Sequence, residues 1–290
     1  MVNSFLQTIG KAIKSVNPED VRRMSGRSVN VGLMAASEAR LNEMWFWLAP
    51  VGISESKRQE LAALVHPLGP QTPDMPAPPA RLDLEFWEEG LRRPEHAFTY
   101  YRTDPARTVR EVLEKHDELG LALSRQFLAF RPHVTEKIVT SICNENVVFS
   151  VTTSLPNLIP SFLSLPYAVS EFASDTAFLT MNQLRMAFLL AGAHDRPVGY
   201  REQKTQIASV IAGAFGWRAI ARELVSKIPF GGGVIGKAAI SYAGTWVVGR
   251  GLERLYRGGQ LTKLEQKRVY DEGLQRGKGI ARKLLAAVGR

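Results

Sequence analysis

Phosphate chemistry is the first possibility that residue types and spacing raise. Gly231, Gly233 and Gly236 spell G-x-G-x-x-G, and Gly231, Gly236 and Lys237 spell most of G-x-x-x-x-G-K-[ST]. Such a loop holds phosphate only when a strand delivers it, so that successive backbone N–H groups converge on the anion. Residues 207–226 read instead as helix, and Ala238 stands where the magnesium-binding hydroxyl belongs. Neither spelling is expected to bind a nucleotide. A third stretch has better context. Residues 28–33 alternate as a strand that leads into a helix, and Gly32 is followed by Ser37, Glu38 and Ala39 where a phosphate loop has Gly, Lys and Ser or Thr. Glu38 would repel the β- and γ-phosphates and Ala39 offers magnesium no ligand, so GTP or ATP hydrolysis through this loop is not expected.

Other chemistries find less. His66, His96, His116, His133 and His194 are scattered, with no i, i+4 pair and no H-E-x-x-H, so spacing supports no metal site. No G-x-S-x-G occurs, and Cys143 has no neighbouring histidine, which removes the common nucleophile signatures. Glu88 with Glu89, and Asp271 with Glu272, are adjacent rather than facing carboxylates, and they read as solvated charges. No catalytic, cofactor-binding or metal residue is assigned, and no cofactor is expected.

Composition bounds the rest. The 290 residues are 45% hydrophobic and 22% charged, enough for a substantial core over about two domains. The single cysteine excludes an intramolecular disulfide and any multi-cysteine cluster, which favours a reducing compartment. Residues 1–17 lack the basic-then-apolar order of a leader, and no cleaved leader is expected. Of the net charge of +9, residues 250–290 hold +7, from 11 Lys and Arg against 4 Asp and Glu. Only Tyr256 and Tyr270 accompany those cations, which is not the aromatic interleaving of a nucleic-acid module. An anionic membrane face and a merely solvated helix face are the two readings that remain.

The spacing predicts an amphipathic helix over 1–16, a short helix from Asn17 and Pro18 through Arg23, the strand at 28–33, and a helix from Met34. A proline-rich run from Pro67 to Pro79 reads as loop, followed by strands at 81–87 and 97–101. From Pro105 onward the period is helical. Residues 146–170 form 25 uncharged positions, long enough to span a bilayer. Nine of them are Asn, Ser or Thr, and Pro156, Pro160 and Pro166 interrupt them, so a re-entrant, surface-lying or buried segment fits better than a straight span. Residues 228–249 carry Lys237 as their only charge and are the best single membrane candidate.

Small residues recur at helical steps in Ala208, Ala212, Gly216 and Ala219, and again in Gly232, Gly236, Ala239 and Ala243. Each set shares one helix face and allows close backbone approach. A tight helical hairpin turning at 227–231 is predicted, in a membrane or in a soluble Ala/Gly-rich seam. The fold class expected is mainly α. A small α/β region over 1–103 precedes a helical, membrane-associated domain over 104–290 that ends in a basic helix.

The stretch 174–257 carries Gln183-Leu184-Arg185-Met186, Arg218-Ala219-Ile220-Ala221-Arg222-Glu223-Leu224, Ile228-Pro229-Phe230-Gly231 and the glycine-rich run to Leu252. It resembles the YcjF-like family of bacterial helical domains. That resemblance implies membrane association, often beside Ras-like GTPases, with no catalytic residues assigned to the class. It also offers a reading of the α/β region as a degenerate, nucleotide-incompetent remnant of a GTPase domain. The function expected is that of a non-enzymatic, membrane-associated scaffold in the cytoplasm at the inner face of the cell membrane. Its expected partners are the lipid surface, a GTPase or other protein, and further copies of itself, with no nucleic acid. The alternative is a nucleotide-dependent switch, or an enzyme whose site is assembled from distant residues.

Overall fold

The computed structural model describes residues 17–69, 79, 81–154, 175–206, 208 and 233–288. They are mainly helical, with one four-stranded parallel sheet. The helix expected over 1–16, the segment 155–174 and the turn expected at 227–231 lie outside them. Two compact units divide the chain.

The first unit comprises Asp20–Thr135 and Gly192–Asp195. Its sheet holds β1 (Val31–Met34), β2 (Val65–Gly69), β3 (Leu84–Glu88) and β4 (Phe98–Tyr100) in the order β2-β1-β3-β4, every pair parallel. Its helices are α1 (Pro18–Gly26, from Asp20), α2 (Glu38–Leu48), α3 (Glu55–Ala62), α4 (Pro105–Lys115) and α5 (Gly120–Gln126), of which α2, α3 and α4 contact the strands. Strand β1 has neighbours on both sides, and its first three residues are all buried, as central parallel strands require. The proline-rich run is not all loop. Strand β2 carries Pro67 opposite Leu33, and it lies at the sheet edge, where a residue without an N–H is tolerated.

Strands β3 and β4 are joined by residues 89–97 with no helix between them, a short connection for a parallel pair. Arg93 holds it by donating from Nε to Thr99 Oγ1 at 3.0 Å and from Nη1 to the Ala97 carbonyl at 2.6 Å. Trp47 of α2 lies 5.2 Å from Phe86 and 5.1 Å from Tyr100, ring centre to ring centre. Helix α4 starts on Asp104, whose side chain accepts the Arg107 N–H, with Pro105 at its first position. Thr108 docks α4 to β4 by donating to the Thr99 carbonyl and accepting the Tyr101 N–H. Pro105 therefore changes the composition without ending the unit, which continues to Thr135.

The second unit takes its described residues from 17–19, Glu136–Ala191 and from Arg196 onward. Its main helices are α6 (Arg131–Ser154), α7 (Asp175–Ala193), α8 (Val234–Tyr256) and α9 (Lys263–Val288). Gly249 of α8 brings that helix against Val139 of α6 and Met186 of α7, where an added Cβ would sit 2.7 and 3.1 Å from their side chains. Buried Asn146 donates to Thr245 Oγ1 and accepts from Asn182 Nδ2, each at 2.8 Å. This chain links α6, α7 and α8 through polar atoms.

Helices α8 and α9 form the tight hairpin. Gly258, at φ +86°, donates to the Leu255 carbonyl, and Gly259 donates to that of Arg254, the two bonds of a Schellman stop. Thr262 Oγ1 then accepts the Glu265 N–H while Glu265 accepts the Thr262 N–H, a reciprocal capping box that opens α9. Gly273 and Gly277 meet Ala243 and Ala239 so closely that an added Cβ would lie 2.9 Å from each Cα. The small-residue face of α8 thus packs on α9. The partner expected from 208–219 has only Ala208 among the described residues.

Candidate functional site

The chain order places a reversal between β1 and β3, because the first crossover leaves β1 on one side and β3 returns on the other. In open parallel sheets ligands bind beyond the C-terminal strand ends at this reversal. A cleft of about 150 Å³ lies there, lined by Arg40, Glu43, Met44, Glu88, Glu89, Tyr100 and Arg102. Each comes from the end of a strand or from the loop or helix that succeeds one. Glu88 ends β3, Tyr100 ends β4, and Arg40, Glu43 and Met44 line one side of α2.

The cleft is internally paired. Ser37 caps α2 by accepting the Arg40 N–H. The Ala36 N–H, in the loop between β1 and α2, donates to Glu88 Oε2 at 2.8 Å, and Arg40 Nε lies 3.3 Å from Glu88 Oε1. Arg40 also reaches Glu43 at 2.8 Å, and Arg102 reaches it at 2.9 Å. Hydrogen bonds from Arg40 and then Arg102 hold the Glu43 carboxyl below its usual range, and burial pushes the Tyr100 phenol up. Two guanidinium groups and one loop amide here are each paired with the chain's own carboxylates.

Gly32, the first residue of the third phosphate-loop reading, lies inside β1. A Cβ there would meet Leu68 and Leu82 at 2.7 Å, so glycine serves close packing. The strand–turn–helix order is present, with α2 beginning at Glu38 rather than Met34 because Ser37 supplies its cap. Glu38 and Ala39 are exposed. Gly233 is the cap residue of α8, followed by Gly236 and Lys237 in its first turn, and Gly231 is outside the described residues. Glu88 corrects the reading of solvated charges, since its carboxylate anchors the loop after β1. Asp271 and Glu272 are exposed on α9, with Glu272 paired to Arg276 at 2.8 Å.

The histidines do not converge. His66 pairs with Asn30, His96 with Glu85, His116 with Glu118, and His194, which is buried, with Thr135. His133 Nδ1 is buried without a hydrogen-bond partner. Among the described residues no group of three or more His, Cys, Asp or Glu could hold a metal ion. Cys143 is buried with its thiol aimed at the Tyr242 carbonyl, 3.7 Å away, and burial pushes its pKa well up.

A second chemical surface is the outward side of α9. Lys267, Arg268, Arg282 and Lys283 are exposed there, and Leu264 is 79% exposed. Among the described residues no helix is long and apolar enough to cross a membrane. The span candidate at 228–249 is described from Gly233, and its residues continue into Arg250, Glu253 and Arg254 of the same helix. Arg250 and Arg276 both lie over the buried Trp246 ring, at 4.2 and 4.4 Å, and both pair with Glu136. Compared with protein-family models, curated proteins and solved structures, the chain matches none.

Proposed function

We propose that the protein is a non-enzymatic scaffold that lies on an anionic membrane face through its helical unit, in association with a GTPase system. The observation that carries this reading is the polarity of α9. One side is set glycine-to-alanine on α8, and the exposed remainder presents Lys267, Arg268, Arg282 and Lys283 with Leu264, the cations outnumbering the exposed Asp271 and Glu272. Exposed cations beside one exposed leucine suit electrostatic attachment to an anionic surface rather than insertion into the bilayer core. The GTPase association rests on the YcjF-like resemblance of 174–257, which also supports the inner face of the cell membrane as its location. The non-enzymatic part is supported at the sheet, where Glu38 and Ala39 open α2 and the Ala36 amide of the preceding loop is already taken by Glu88. Flotation of the full chain with vesicles tests the membrane reading. It should rise with vesicles containing phosphatidylserine and stay behind with phosphatidylcholine alone, and equal recovery in the unbound fraction from both would refute it.

A further inference from the structure

The cleft at the β1/β3 reversal is independent of that membrane reading. Two of its donors already meet an anion. The Ala36 N–H and Arg40 Nε converge on the two oxygens of Glu88, at 2.8 and 3.3 Å, and Arg102 stands on the same cleft through Glu43. The N-terminal end of α2 adds its partial positive charge from the same side. We propose that this is an anion site kept filled by the chain's own Glu88, and that it takes a free phosphate-sized oxyanion when that carboxylate is removed.

Size and competition both bear on the ligand. About 150 Å³ is below the usual range of small-molecule pockets, which begins near 300 Å³. It suits a tetrahedral oxyanion and not a nucleoside diphosphate. A tethered carboxylate acts at an effective concentration of about millimolar or above, so a weak free anion loses to Glu88 in the wild type. Glu43 and Glu89 also line the cleft, Glu43 paired with both Arg40 and Arg102, and their negative charges keep the affinity for an added anion low.

The test is chemical rescue, read on the full chain by thermal unfolding and by phosphorus NMR titration with inorganic phosphate, with sodium chloride at matched ionic strength as control. Glu88→Ala should bind phosphate at least about tenfold more tightly than wild type and recover part of its lost unfolding temperature in phosphate. Sulfate should do the same, and Glu88→Ala with Arg40→Ala should lose the effect. A Glu88 that serves only as a loop anchor would leave Glu88→Ala destabilised and indifferent to phosphate, which overturns the proposal. Equal phosphate binding by wild type also overturns it. Glu88→Gln, which keeps the side chain's shape and one acceptor oxygen, is measured alongside. If Glu88→Ala fails to fold, the same tenfold gain over wild type is required of Glu88→Ser, which also vacates the position, and its absence counts against the proposal.

Discussion

Asp195 shows how much one residue can hold. It adopts φ +54°, a left-handed conformation that Asn and Asp tolerate better than other side-chain-bearing residues. Its carboxylate bonds Arg125 at 2.9 Å and Lys57 at 3.2 Å. Burial acts to raise its pKa, but the Arg125 bond and the Lys57 charge outweigh it and hold the group below its usual value. A carboxyl with a depressed folded pKa contributes stability above its unfolded pKa of about 3.9, and that contribution is lost as pH falls through the folded value. Asp195→Asn keeps the backbone preference and removes the charge. It should cost up to about 1 kcal/mol at pH 7, after allowance for the group's partial exposure, and should flatten the loss of stability below about pH 4. Denaturant unfolding across that pH range checks it, and an unchanged acid limb would show that the two cations do not act through this carboxylate. Neither Arg125 nor Lys57 is near Asp195 in sequence, so spacing offered no sign of the bracket. Glu88 was hidden differently: two adjacent glutamates look like solvent charge until the sheet order brings one beside the loop after β1.

At the scale of elements, the α8–α9 hairpin is the most sharply specified feature. Its turn is written in Gly258, Gly259, Thr262 and Glu265, a helix stop followed by a capping box. These signals are present in the sequence; the separate turn expected at 227–231 lies outside the described residues. The small-residue period was legible and its partner was not, because helical spacing identifies a face without identifying what covers it. On α9 the answering residues are Gly273 and Gly277, also at a four-residue step. Gly277→Leu should destabilise the protein by about 1 to 3 kcal/mol, since its Cβ would fall 2.7 Å from Tyr242 Cβ and 2.9 Å from the Ala239 backbone. Lys263→Leu, on an exposed position of the same helix, should change stability by less than about 0.5 kcal/mol. Equal thermal midpoints for the two variants would mean that this seam is not close-packed. The strand at 65–69 escaped prediction because Pro67 counts against a strand in general, though not at an edge.

For the whole molecule, composition placed most of the net positive charge beyond Arg250, and the structure puts much of it on exposed positions of one helix whose opposite side is committed to α8. The mainly helical class with a small α/β region was legible from periodicity, because period and turn residues are local. The cleft was not, since it is assembled from β1, α2, β3 and β4, whose order in the sheet no local signal records. Each basic residue near an anionic membrane contributes about 1 kcal/mol, so the outer face of α9 should dominate binding if the protein lies on that surface. The most direct measurement is the partition coefficient onto phosphatidylserine-containing vesicles at physiological salt, for wild type and for the variant combining Lys267→Glu, Arg268→Glu and Arg282→Glu. With helical content unchanged by circular dichroism, the variant should bind at least about a hundredfold more weakly. Binding equal to wild type would contradict the account.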